Sequence, residues 1–165
     1  MTVGLRKITM SRWVDRPNDF PRGEVTADSV TDLKTYQNSL SVFVVPPDDP
    51  AALIRVASAM TCDKTSLEPF EYCLFPIEGV LELGLRIRSV PGKTSDNVVN
   101  SWHRDIIDLT GAGLVSFAVF LSGIPASRML KSDVAKELVV GWAQDRYSRR
   151  PKCERDLQKF GFPTS

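Results

Sequence analysis

One stretch constrains this chain more than any other. Leu40-Ser41-Val42-Phe43-Val44-Val45 is a run of β-branched and aromatic residues that stops at Pro46-Pro47 and gives way to Asp49-Pro50. Branched and aromatic side chains suit a pleated, buried surface, and proline cannot donate to a strand ladder. The run therefore predicts a strand buried on both faces. Asp49 suits a helix N-cap, and Pro50 suits the first helical position, where its missing N–H costs nothing. Leu53, Val56, Ala57 and Met60 follow at helical spacing and predict a helix over 50–60 with one apolar face.

Other segments extend this strand–helix order. Leu5, Ile8 and Met10 lie in a short opening strand, and the Pro-containing loop after them is pinned by Trp13. Residues 24–38 are mostly polar and carry no clear period. Phe70 to Phe75 predicts a strand ended by Pro76, and Ile77 to Leu83 a short helix closed by Gly84. Leu85 to Val90 largely alternates apolar with polar residues, the pattern of a strand with one wet face. Residues 97–109 read two ways. Val98, Trp102, Ile106 and Leu109 recur at helical spacing, yet Trp102 to Leu109 also reads as a strand that ends at Thr110-Gly111-Ala112-Gly113. A strand is preferred, because a turn and an apolar helix over 114–122 follow at once. Ser132 caps a last helix over 133–146, marked by Val134, Leu138 and Trp142. The expectation is a single α/β or α+β domain over residues 1–146. It has a mixed sheet of about four to five strands and three to four helices, followed by a basic, Pro-containing tail over 147–165.

Composition narrows the class of protein. The chain has 165 residues and is 42% hydrophobic and 25% charged, enough for a packed core without staples. Net charge is +1, but residues 1–83 carry −4 and residues 84–165 carry +5. Cys62, Cys73 and Cys153 are odd in number and form no CxxC pair, which argues against a secreted disulfide framework. The longest apolar stretch, Leu114 to Leu121, falls well short of the ~18 residues of a membrane span. The opening residues lack an apolar signal core. The chain is expected to be soluble and cytoplasmic.

His103 is the only histidine. Sites that need two or three histidines are excluded, and no paired spacing supports gathering His103 with the three cysteines, so no metal is expected. A nucleophile would have to use His103 as its base, and no Gly-x-Ser-x-Gly elbow occurs. As a strand, Trp102 to Asp108 places His103 and Asp105 on one face, where a carboxylate beside an imidazole makes half of an acid–base pair. Arg104 stands between them in sequence. As a helix, the same segment pairs Arg104 with Asp108. Gly111 and Gly113 sit where a phosphate loop would need them, but Ser116 replaces the third glycine of a dinucleotide fingerprint. Gly92-Lys93-Thr94 ends like a Walker loop, but Ile87 stands where that loop needs glycine. No cofactor is expected.

Arg146, Tyr147, Arg149, Arg150, Lys152 and Arg155 cluster at the start of the tail. Aromatics beside arginines are what protein interfaces prefer. The expected function is an accessory or regulatory module that binds a protein partner and has no catalysis of its own. Its contacts would be Tyr147, Arg149, Arg150, Lys152 and Arg155. The alternatives are a small hydrolase or transferase built on His103 and Asp105 with Arg104, and a nucleic-acid binder using the basic rear half. A homodimer is compatible with each.

Overall fold

The computed structural model describes residues 2–13, 25–62, 64, 67–147 and 154–162, with the side chains of 154–156 outside the description. The predicted strand at Leu40–Val45 (β2) occupies the middle of a six-stranded antiparallel sheet. The other strands are β1 (Val3–Lys7), β3 (Phe70–Pro76), β4 (Arg86–Ser89), β5 (His103–Ile107) and β6 (Ala126–Met129). Their order across the sheet is β4-β5-β2-β1-β3-β6. Seven α-helices accompany them among the described residues: α1 (Ala27–Asp32), α2 (Pro50–Thr61), α3 (Ile77–Glu82), α4 (Asn97–Trp102), α5 (Gly111–Ser122), α6 (Lys131–Ala143) and α7 (Glu154–Lys159). The mixed α/β class agrees with the sequence. The counts exceed the expected four to five strands and three to four helices, and the sheet is antiparallel rather than mixed.

Each surplus element has a physical reason for escaping notice. β6 and α7 have only four and six residues, too short for a period to emerge. α1 has six residues and is held by its caps: Thr26 accepts a hydrogen bond from the Ser29 N–H, a side-chain cap that polar sequence conceals. Residues 97–109 resolve into both alternatives, a helix to Trp102 followed at once by a strand from His103. Gly111 and Gly113 form the first turn of α5, not a separate turn, and Thr110 caps that helix by accepting from the Gly113 N–H. α6 starts at Lys131, so Ser132 is not its N-cap; Leu130 holds that position and supplies no side-chain bond. Asp49 caps α2 as expected, accepting from the Ala52 N–H at 3.0 Å.

The chain divides into two compact units that interleave in sequence. The first is Met1–Pro47, Glu71–Val90 and His103–Ser127; the second is Asp48–Phe70, Pro91–Trp102 and Arg128–Ser165. In the first unit, one sheet face presents Leu40, Val42, Cys73, Phe75 and Ile106. Val80 of α3, Phe117, Ala118 and Leu121 of α5, Leu33 and Trp13 join them in one buried cluster. Phe75 and Phe117 meet edge to face at 5.5 Å, a geometry worth about 0.5–1.5 kcal/mol beyond burial. Gly4 lies across from Phe75 in the ladder, and a Cβ there would fall 2.4 Å from its ring, so only glycine admits the aromatic. Trp13 is buried, and its indole N–H donates to Asp32 at 2.8 Å; the Pro-containing loop it was expected to pin lies outside the described residues.

In the second unit, α2 packs against α6. Val56, Ala57, Val134, Ala135 and Leu138 are fully buried there. Tyr147 is buried as well, with its ring directly over Gly141.

Candidate functional site

β5 alternates cleanly, so His103, Asp105 and Ile107 share one sheet face while Arg104 and Ile106 take the other. Register sets Phe43 across from His103 and Ser41 across from Asp105. The structure brings the expected pair together: His103 Nε2 lies 3.7 Å from Asp105 Oδ1, and both side chains are mostly buried, at 13% and 15% exposure. His103 Nδ1 is 2.9 Å from the Val90 carbonyl oxygen, and the ring stands edge-on to Phe43 at 5.4 Å. Ser41 Oγ donates to Asp105 Oδ1 at 3.3 Å, so the nearby hydroxyl addresses the carboxylate and not the imidazole. Arg104 is turned away from the pair, and one of its guanidinium nitrogens donates to the His103 carbonyl at 2.7 Å. Asp108 leaves the strand with a positive φ of 56° and pairs with Arg86, not with Arg104.

Acyl-transfer machinery needs a hydroxyl or thiol hydrogen-bonded to the base, with a third group orienting that base. Here both ring nitrogens of His103 already face acceptors, and among the described residues no nucleophile addresses the ring. The glycine-rich segments are occupied from within. Thr110 takes the Gly113 N–H at the start of α5. Thr94, in the Walker-like stretch, gives both its N–H and its hydroxyl to Asn100 Oδ1 and accepts the Asn100 amide at its carbonyl. Among the described residues, no group of three or more His, Cys, Asp or Glu could hold a metal ion, and no helix is long and apolar enough to cross a membrane.

The expected tail contacts divide. Arg149, Arg150 and Lys152 lie outside the described residues. Arg155 falls in α7, and its side chain lies outside them too. Tyr147 is the expected contact whose side chain is described. It is 6% exposed and packed on Gly141, so it fastens the start of the tail. Arg146 is likewise committed, through an ion pair with Glu137 and a position 5.9 Å above the Tyr147 ring. Burial raises the Tyr147 phenol above its ordinary pKa, with the Glu137 charge adding to the effect.

Sequence reasoning missed two charged features. Arg6 of β1 is half-buried on the core face and donates to the carbonyls of Ser41 and Leu33, both at 2.7 Å. Burial lowers its pKa to about 10, and the Asp32 charge opposes that shift. In the second unit, Arg55 of α2 binds Asp96 in a fork, at 2.6 and 2.9 Å. Burial penalises the Asp96 carboxylate. The Arg55 hydrogen bonds, the N–H groups of Val98 and Val99 and the Arg55 charge outweigh that penalty and hold its pKa below the ordinary carboxylate range. Neither feature has a local signature, because each joins residues far apart in the chain.

At the sheet's end, β4 pairs with β5 on one side, and no strand lies beyond it among the described residues. Arg86 and Arg88 are exposed on β4, beside Leu81 at 55% and Leu83 at 38% exposure. Comparison with family models, with curated proteins and with solved structures finds no match to this chain.

Proposed function

We infer that the protein is an accessory module that binds a partner protein and performs no chemistry of its own. The observation that carries this is the state of the single imidazole. His103 Nδ1 addresses the Val90 carbonyl, Nε2 addresses Asp105, and Ser41 donates to Asp105 instead of to the ring. Among the described residues, that arrangement leaves neither ring nitrogen free for a reacting group and no nucleophile beside the ring. Two features support binding. The basic run Arg149, Arg150, Lys152 and Arg155 follows an anchored Tyr147, and the described surface exposes large apolar side chains, including Leu81 and Leu130.

The test is a tagged purification from the native host at moderate salt, with mass spectrometry and a nucleic-acid stain on the eluate. A stoichiometric protein partner is expected. It should be lost when Arg149, Arg150, Lys152 and Arg155 are all changed to Glu, with the far-UV CD spectrum unchanged. Nucleic acid alone in the eluate, or an activity abolished by His103→Ala in a folded protein, overturns the proposal.

A further inference from the structure

We propose that the open edge of β4 accepts an extended, acidic segment of a partner protein as an added strand. This contact rests on the binding function inferred above and supplies its chemistry. An antiparallel edge strand turns the N–H and C=O groups of alternate residues away from its neighbour, where they remain a template for another chain. β4 is such a strand: Arg86–Ser89 is hydrogen-bonded to β5 and ends the sheet.

Its side chains define what can pair with it. Ile87 lies across from Ile106 on the core face and packs, half-buried, against the apolar cluster. Arg86 and Arg88 stand on the opposite face. Arg86 is neutralised by Asp108. Arg88 lies across from Asp105, whose carboxylate is taken by Ser41 and faces His103. The Arg88 guanidinium has no hydrogen bond or ion pair among the described residues. An added strand therefore meets an exposed cation on one face and an apolar side chain on the other. The complementary sequence alternates a carboxylate with a branched apolar residue.

Pairing with a second copy brings arginine to arginine, whereas an acidic segment brings a carboxylate to each. Two-fold pairing of β4 with itself, centred on Ile87, sets Arg86 of each copy across from Arg88 of the other. Like charges directly opposite destabilise a strand pair.

The probe is a short fluorescent peptide that alternates glutamate and valine, titrated into the full chain at low salt and followed by anisotropy. Saturable binding is expected. Arg88→Glu should weaken it about tenfold or more, and a probe with N-methylated backbone amides should not bind, since it leaves the protein itself unaltered. Equal binding of a lysine–valine probe, binding that survives N-methylation, or self-association of the chain that blocks the probe overturns the edge contact. A native partner retained by Arg88→Glu but released by charge reversal of the tail removes the edge and leaves the module function standing. The absence of any partner removes the module function itself.

Discussion

Arg55 and Asp96 meet in a two-pronged, charge-assisted hydrogen bond across 41 residues of chain, and Asp96 is 1% exposed on its side chain. The same carboxylate also accepts from the N–H groups of Val98 and Val99, and so caps α4. One side chain therefore ties α2 to the start of α4.

Asp96→Ala removes the acceptor from all four bonds and frees Arg55. Breaking one partner of a buried pair costs about 3–5 kcal/mol, and urea denaturation should show a loss of that order. Arg55→Ala should cost a comparable amount, because it leaves a buried carboxylate without its counter-charge. The double variant should lose less than the sum of the two.

The pair also sets a pH dependence. The folded pKa of Asp96 is depressed relative to the unfolded value of about 3.9. Its contribution is complete above that value and is lost as pH falls through the folded pKa. Urea midpoints should therefore drop below about pH 4, and Asp96→Asn should show a shallower drop than the parent.

Gly141→Ala separates packing from propensity. Alanine in a helix interior gains about 1 kcal/mol over glycine. The new Cβ, however, would fall 1.9 Å from the Tyr147 ring, which is buried and would have to shift. Net destabilisation of about 1–3 kcal/mol is expected. Gly141→Ala combined with Tyr147→Ala should recover the helix gain but lose the ring's burial.

The buried thiols should resist reagents. Cys73 is 2% exposed, and burial raises its pKa to about 11; Cys62 is 0% exposed. In a Cys153→Ser background, a disulfide reagent at neutral pH should react only as fast as the chain unfolds. Cys73 also favours folding less as pH rises. Its unfolded thiol ionises near about 8.5, so stability should decline from there up to about pH 11.

His103→Ala should be structural in effect. It removes the Val90 contact and the ring packed on Phe43, for a loss of about 1–2 kcal/mol. Partner capture should persist unchanged. Loss of capture at full folding would place the imidazole in the binding surface.

Local signals in the sequence determined those elements whose cause is local. β2 is written in its branched residues and closing prolines, α2 in Asp49 and Pro50, and α3 in its closing Gly84, which takes a φ of 73°. The alternation that places His103 and Asp105 together is legible as soon as β5 is read as a strand. The remainder depends on distance. β6 and α7 are too short to carry a period, and α1 is secured by caps and by neighbours. The switch from α4 to β5 at Trp102–His103 is set by pairing with β2, a partner sixty residues away in the ladder between Phe43 and His103. Tyr147 reads as an aromatic beside arginines until the tertiary structure lays it on Gly141. The Arg55–Asp96 fork and the unpaired Arg88 edge have no sequence signature, because a charge acquires its meaning from what folding places opposite it. Propensity, capping and periodicity act over a few residues and can be read in order. Register, burial and ion pairing arise only when distant segments meet, and here they decide which groups are spent inside the fold and which stay available to a partner.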